Sequence, residues 1–161
     1  MNSRRVLTLV LFLLSVTLVG CGSKGGGGSA RIRVLNAIPD ANAISVRLDN
    51  DAPIVSGLAF EQVTQYTGVN TGSREFKVSA NGGASNVIDT TLNVNGADYT
   101  YVVYGPVSAA LGGLVADSGF TTPSSGNFSV RFFNAAAGIG NVDLYLTAPG
   151  VDLNSTSATM R

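Results

Sequence analysis

The chain contains no histidine and no tryptophan, and its single cysteine is Cys21. Without histidine it lacks the commonest general base, the Ser–His and Cys–His nucleophile pairs, and histidine-based metal sites. With one cysteine it can form no internal disulfide, so a folded domain must be stabilised by its hydrophobic core. We therefore expect a protein that is not an enzyme and that uses neither a cofactor nor a metal ion.

Charge is also scarce. Charged residues make up 12% of the chain, about half the usual share in soluble domains. Beyond the first 20 residues, eight basic residues face ten acidic ones, a net charge near −2. Because nucleic-acid binding requires a clustered basic face, we expect no nucleic-acid partner.

The first 20 residues have the layout of a secretory signal peptide. Arg4 and Arg5 precede 15 uncharged, mostly apolar residues, 6–20. A membrane-spanning helix is the alternative, but it needs roughly 20 apolar residues. We predict that residues 1–20 form an N-terminal signal helix that is removed by cleavage.

The end of this segment, Leu18-Val19-Gly20-Cys21, resembles a bacterial lipobox, in which small residues precede a cysteine that becomes the mature N-terminus. The resemblance implies that Cys21 carries a thioether-linked diacylglycerol and an amide-linked third chain, which together anchor a protein stably to a membrane. A buried or redox-active cysteine fits poorly between a cleavage signal and a glycine run. We expect a lipoprotein of the cell envelope; glycine at position 22, where aspartate is absent, favours the outer membrane, on its periplasmic or surface face.

Residues 21–29 are predicted to be a flexible tether, since the sequence GSKGGGGS offers no side chain that could pack. A phosphate-binding glycine loop would need a preceding strand, a following helix and a lysine in register, and the sequence predicts none of these here.

Residues 30–120 alternate polar and apolar side chains in short runs separated by turn residues, which is typical of an all-β domain. The stretch 60–66 is less regular and predicts a bulged strand or a short helical turn. Asn95-Gly96 predicts a hairpin between the last long strands. About seven strands in this length indicate an antiparallel β-sandwich of the immunoglobulin or transthyretin kind, with a small barrel as the alternative. The predicted strands and apolar runs are 31–34, 44–49, 54–55, 75–80, 87–94, 99–104 and 113–118.

An internal repeat follows a linker at 121–126. Ile32-Arg33-Val34-Leu35-Asn36-Ala37 recurs 98 residues later as Val130-Arg131-Phe132-Phe133-Asn134-Ala135, and the register continues through the second strand. Residues 127–161 are therefore predicted to begin a second domain of the same fold, with its first two strands. Because a lone hairpin is marginal in water, we expect either a fragment of a longer protein or a piece that packs on the edge of the first domain, and favour the fragment.

Four motifs in the first copy resemble the bacterial DUF4397 domain. They are an R-V-x-N-A-x-P-D-A pattern at 33–41, a V-D-V-Y-type strand at 44–48, a Y-x-x-V-x-x-G segment at 66–72 and a G-x-x-Y-T strand at 96–100. The second copy departs from the pattern, with Ala136-Ala137-Gly138 in place of the Pro-Asp element. The resemblance implies a β-sandwich on an exported or lipid-anchored protein, often in tandem, and brings no catalytic residue.

Few other residues suggest chemistry. Asp40, Asp49, Asp51, Asp98 and Asp152 are best explained by turn formation. Asp49-Asn50-Asp51 could help to bind Ca²⁺, but it lacks the longer acidic pattern of a dedicated loop. Tyr99, Tyr101 and Tyr104 could stack on a sugar, although strand tyrosines are more often half-buried. Asn36 and Asn134 are interpreted as turn caps rather than ligands.

These observations favour a non-enzymatic, lipid-anchored envelope protein whose β-sandwich is a structural or interaction module. Its expected partners are the membrane, through the lipid, and an envelope protein or glycan. The alternative is a surface protein that binds glycan or peptide through its loops. An enzyme would need a concave pocket with clustered carboxylates of perturbed pKa.

Overall fold

The computed structural model describes residues 29–160, which contain eight strands in two four-stranded sheets. The predicted signal helix, Cys21 and all of the tether except Ser29 lie outside the described residues. No helix among residues 29–160 is long and apolar enough to cross a membrane. The strands are β1 (Ser29–Ala37), β2 (Ala43–Leu48), β3 (Pro53–Ala59), β4 (Thr67–Asn70), β5 (Gly72–Ala80), β6 (Asn86–Val94), β7 (Asp98–Tyr104) and β8 (Leu111–Ala116).

The first sheet has the order β4-β1-β7-β8. β1 pairs antiparallel with β4 but parallel with β7, in continuous register from Arg31 opposite Asp98 to Ala37 opposite Tyr104. The predicted sandwich is confirmed as mainly antiparallel, with this one parallel pair as a difference. Parallel neighbours require a crossover connection. Here the connection spans β2 to β6: the chain enters the other sheet with β2 and β3, returns to pair β4 with β1, and enters the other sheet again with β5 and β6 before β7.

The second sheet has the order β3-β2-β5-β6 and is antiparallel throughout. Its two hairpins turn at residues 49–51 and 81–83, as the sequence predicts. Asp49 and Asn81 have φ angles of 52° and 55° in these turns. Aspartate and asparagine tolerate this left-handed region better than other side chains, which explains their presence in both turns.

The hairpin predicted at Asn95-Gly96 is wrong. β6 belongs to the second sheet and β7 to the first, so the two strands do not pair with each other. Val94 and Tyr99, on either side of the turn, are both buried in the core. The turn therefore carries the chain from one sheet to the other. Turn residues alone do not distinguish such a connection from a hairpin within one sheet.

The irregular stretch 60–66 forms no regular strand and no helical turn, although Val63 forms an isolated antiparallel bridge with Leu35 of β1. It runs beside the second half of β1 through single backbone hydrogen bonds, from Asn36 N to Gln62 O (3.1 Å) and from Thr64 N to Val34 O (3.0 Å). β4, which the sequence analysis did not predict, follows directly and pairs with the first half of β1. Together these segments cover one side of β1 over most of its length.

The core lies between the sheets and receives every second side chain of the central strands. Phe76 of β5 and Tyr101 of β7 are both fully buried, and their ring centroids lie 4.5 Å apart across the two sheets. Tyr101 also fills the space over Gly112 on β8, where an added Cβ would lie 2.1 Å from the tyrosine Oη. Close packing of one aromatic ring thus links three strands.

Residues 117–160 contain no strand among those described, only an isolated bridge between Leu144 and Met160 and a 3₁₀ turn at Leu153–Ser155. The second copies of β1 and β2 predicted for this region are not formed as regular strands. β1 is held between β4 and β7, whereas residues 130–135 pair with no strand in the described part of the chain. Without those backbone partners, the repeated sequence does not reproduce the strand.

We predict that Gly112→Ala destabilises the domain by about 1–3 kcal/mol, since the new methyl group collides with a fixed, buried ring. Denaturant unfolding would measure the loss. Gly113→Ala is the matched control, because nothing lies within 4 Å of a Cβ at that position. Equal stability of the two variants would contradict this packing.

Candidate functional site

The outer face of the first sheet carries a row of facing side-chain pairs. Alternation along β1 and β7 turns Arg31, Arg33 and Leu35 outward, and the parallel register places them opposite Asp98, Thr100 and Val102. One end of this face is therefore charged and the other apolar.

Asp117 follows β8 and lies at the charged end, with its side chain 9% exposed. Its Oδ2 accepts hydrogen bonds from the hydroxyls of Tyr66 (2.8 Å) and Thr100 (2.5 Å), and its Oδ1 accepts one from Arg131 (2.9 Å). Arg33 adds an ion pair, with its Nε 3.6 Å from Oδ2. Both oxygens of this carboxylate are thus engaged.

The carboxylate is held in its ionised form. Burial acts to raise the pKa of Asp117, but hydrogen bonds from Thr100, Arg131 and Tyr66 and the charge of Arg33 outweigh burial and lower the pKa. The pKa of Asp98 is also lowered, chiefly by its hydrogen bond from Arg31. Carboxylates with lowered pKa values remain charged at neutral pH and are poor proton donors.

Tyr66 organises the arginines on this face. The guanidinium groups of Arg31 and Arg33 lie 5.3 Å and 5.0 Å from the centroid of its ring. Arg31 makes two hydrogen bonds to the carboxylate of Asp98, and Arg33 donates one to Thr100 at 2.8 Å. The face therefore combines cation–π contacts with charge-assisted hydrogen bonds.

The C-terminal segment, residues 130–137, runs across this outer face rather than along an edge of the sheet. Arg131 binds Asp117 at one end, and the ring of Phe133 makes an edge contact with Tyr104, centroid to centroid 5.3 Å. At the far end, a Cβ added to Gly105 would lie 3.2 Å from that of Ala137.

A cleft of about 490 Å³ lies between the sheet and this segment. Its floor is formed by Leu35, Val102 and Val115 and its polar end by Arg33, Thr100, Asp117 and Arg131. Its other wall consists of Val130, Phe132, Phe133 and Met160. This volume and this mixture of apolar walls with a few polar groups are typical of small-molecule sites.

A comparison with protein-family models matches residues 30–145 to the domain of unknown function DUF4397. The chain belongs to the DUF4397 family. The match covers most of the chain, including all eight strands and the segment on the outer face. No curated protein matches the chain.

Side chains from three of the four DUF4397-like motifs meet at one point of the fold. Arg33, Tyr66 and Thr100 come from the motifs at 33–41, 66–72 and 96–100, and all three contact Asp117. No sequence pattern singled out Asp117 itself. Arg131, however, was visible as the repeat counterpart of Arg33, and the structure brings both arginines to the same carboxylate.

Cys21 and the cleavage motif Leu18-Val19-Gly20 lie outside the described residues, so their predicted lipidation stays a prediction. Among residues 29–160 no three histidine, cysteine, aspartate or glutamate side chains are grouped as metal ligands would be. Asp49 of the suggested Ca²⁺ turn accepts a hydrogen bond from Glu75 N (2.9 Å) and pairs with Arg74 (2.7 Å). The side-chain oxygens of Asp49 therefore connect its turn to β5.

The tyrosines considered for sugar stacking do not form a surface. Tyr99 and Tyr101 are buried in the core, and only Tyr104 lies on the outer face, against Phe133. Their alternation along β7 explains this separation, because Tyr99 and Tyr101 point inward and Tyr104 points outward.

Asn36 and Asn134 act as caps, as interpreted from the sequence. The Oδ1 of each accepts a hydrogen bond from the backbone N–H two residues ahead, Ile38 or Ala136, at 3.0 Å. This local geometry is preserved in the second copy even though the strand is not. It therefore depends on the side chain and its own turn rather than on the sheet.

We predict that Asp117→Asn destabilises the DUF4397 domain by about 1–3 kcal/mol at pH 7, through loss of charge-assisted hydrogen bonds. The folded-state pKa of Asp117 is lowered from the usual aspartate pKa of 3.8. The ionised side chain therefore contributes its full stabilisation at pH values above 3.8, and this stabilisation disappears as the pH falls through the folded-state pKa. Denaturant unfolding from pH 6 to pH 2 should show the two proteins converging in acid.

Asp89→Asn is the control for this measurement. Within residues 29–160, the hydrogen bond that the Asp89 carboxylate accepts from Asn86 is long, at 3.4 Å. A difference between wild type and Asp117→Asn that stayed constant down to pH 2 would contradict the ionised carboxylate.

Two tyrosine-to-phenylalanine substitutions should differ in their effects. Tyr66→Phe removes a hydrogen bond to Asp117 and is expected to cost about 1–2 kcal/mol. Tyr101→Phe should be neutral or stabilising, because the buried Oη of Tyr101 has no hydrogen-bond partner among the described residues. Thermal unfolding of both variants tests the assignment, and a larger loss for Tyr101→Phe would reverse it.

Proposed function

We propose that this DUF4397 protein is a lipid-anchored component of the bacterial cell envelope whose β-sandwich is a non-enzymatic structural or interaction module. The observation that carries the module assignment is the state of Asp117. Its pKa is lowered, its Oδ1 accepts a hydrogen bond from Arg131 of the C-terminal segment, and its Oδ2 accepts hydrogen bonds from Tyr66 and Thr100. This part-buried carboxylate thus serves to connect parts of the fold, and an acid catalyst would need a raised pKa.

The anchor is supported by the sequence, in which the lipobox-like motif ends at Cys21. β1 starts at Ser29, eight residues after Cys21. A Gly-rich chain of that length would separate the sandwich from the membrane surface by roughly 15 Å on average. That separation leaves the sheet faces accessible to an envelope partner while the lipid keeps the domain at the membrane.

The alternative is a surface protein that binds glycan or peptide, and sugar stacking on tyrosines is poorly supported as its mode of binding. Tyr99 and Tyr101 are core residues, so neither can lie against a sugar ring. A partner protein of the envelope fits better with the exposed apolar side chains of the C-terminal region, since Phe132 and Phe133 border the same cleft and are 51% and 40% exposed. Contiguous exposed apolar surface is typical of interaction sites.

Metabolic labelling tests the anchor. The full chain, expressed in a Gram-negative bacterium fed an alkyne analogue of palmitate, should incorporate the label and fractionate with the outer membrane. Cys21→Ala should lose the label, because the thiol that accepts the diacylglycerol is absent. In-gel detection of the label and membrane fractionation supply the two measurements.

Ser23→Ala is the matched control, since it alters a neighbouring small residue and leaves the thiol in place. Label retained by Cys21→Ala, or a wild-type chain found unlabelled in the medium, would contradict the proposed anchor.

A further inference from the structure

The cleft on the outer face of the first sheet has an uneven distribution of charge. Two guanidinium groups, from Arg33 and Arg131, line one end of the cleft with the carboxylate of Asp117. Arg31 and Asp98 form an ion pair next to this end, outside the lining. This group has a net charge of +1. One negative charge from a ligand would therefore neutralise this group.

Two of these arginines keep donors that the protein does not use. Arg33 donates through Nε to Thr100, and Arg131 donates through one terminal nitrogen to Asp117. Their other guanidinium nitrogens make no hydrogen bond within residues 29–160. Both side chains line the cleft and are partly exposed, 37% for Arg33 and 45% for Arg131. They can accordingly reach a ligand without releasing Asp117.

The rest of the cleft is apolar on both sides. Val102 and Val115 form the floor beyond the charged end, and Phe132 and Met160 form the facing wall. Phe132 and Met160 are each 51% exposed, a large apolar area for side chains that border a cavity. Covering this surface would gain roughly 25 cal/mol for each Å² removed from water.

We propose that the cleft binds a linear aliphatic carboxylate, with its carboxylate at Arg33 and Arg131 and its hydrocarbon chain between the sheet and the C-terminal segment. The unbalanced positive charge and the free guanidinium donors select an anionic head group. The apolar walls select an alkyl chain. This inference goes beyond the envelope role, and it does not depend on whether Cys21 carries lipid.

Met160 provides a direct test, because its side chain lines the cleft. Met1 lies in the predicted signal peptide, so Met160 supplies the single methionine resonance of the mature chain. In the mature chain labelled with ¹³C at the methionine methyl group, titration with decanoate should shift the Met160 resonance saturably. Decyltrimethylammonium has the same chain and the opposite charge, so its affinity measured from the Met160 shift should be at least about tenfold lower. Acetate should not shift the Met160 resonance.

Substitutions identify the head-group site. Arg131→Gln should weaken decanoate binding at least about tenfold, because a charge-assisted contact is lost. Arg33→Gln should also weaken decanoate binding at least about tenfold. This variant keeps the hydrogen bond from Arg131 to Asp117, so it still tests the head-group site if Arg131→Gln releases the C-terminal segment from the sheet. Arg47→Gln removes an exposed arginine of the other sheet and should leave binding unchanged.

Three results would overturn the proposal. They are equal effects of decanoate and decyltrimethylammonium, a Met160 shift that does not saturate with decanoate, and undiminished binding by both Arg33→Gln and Arg131→Gln. None of these concerns Cys21, so failure here would leave the proposed anchor intact. Conversely, failure of the lipid-labelling experiment would leave the proposed ligand of the cleft unaffected.

Discussion

A carboxylate that leaves water must be surrounded by hydrogen-bond donors and positive charge, and Asp117 imposes this requirement on the outer face of the first sheet. Tyr66, Thr100, Arg33 and Arg131 meet that need from four separate parts of the chain. The segment after β8 is thereby tied to the sheet. The cleft between them exists because this contact fixes one end of the segment.

The same contact explains how residues 130–137 are held on the domain without forming a strand. A strand such as β1 depends on neighbours on both sides, and residues 130–135 have no such neighbours among the described strands. Arg131 retains the chemistry of its counterpart Arg33 and uses it on the same carboxylate, while Asn134 retains the capping role of Asn36. Side-chain interactions that are local or charge-directed thus persist where the sheet does not.

Much of the fold could be predicted because its signals are local. Alternation identified β1, β2, β5 and β7, and the turns at Asp49 and Asn81 joined strands that do pair. The hairpin predicted at Asn95-Gly96 failed, since a turn that reverses within one sheet and a turn that crosses between sheets use the same residues. β4 was missed because four residues supply too short a pattern.

The sequence by itself determined the class of the domain, its family resemblance, the spacing of its turns and the expectation of a lipid on Cys21, because these follow from composition and short motifs. Only the tertiary structure decided that Asp117 is the centre of the outer face and that Arg33 and Arg131 lie on one carboxylate. It also decided that Tyr99 and Tyr101 belong to the core. Such groupings depend on strand order and on the parallel register of β1 with β7, which join residues far apart in the chain.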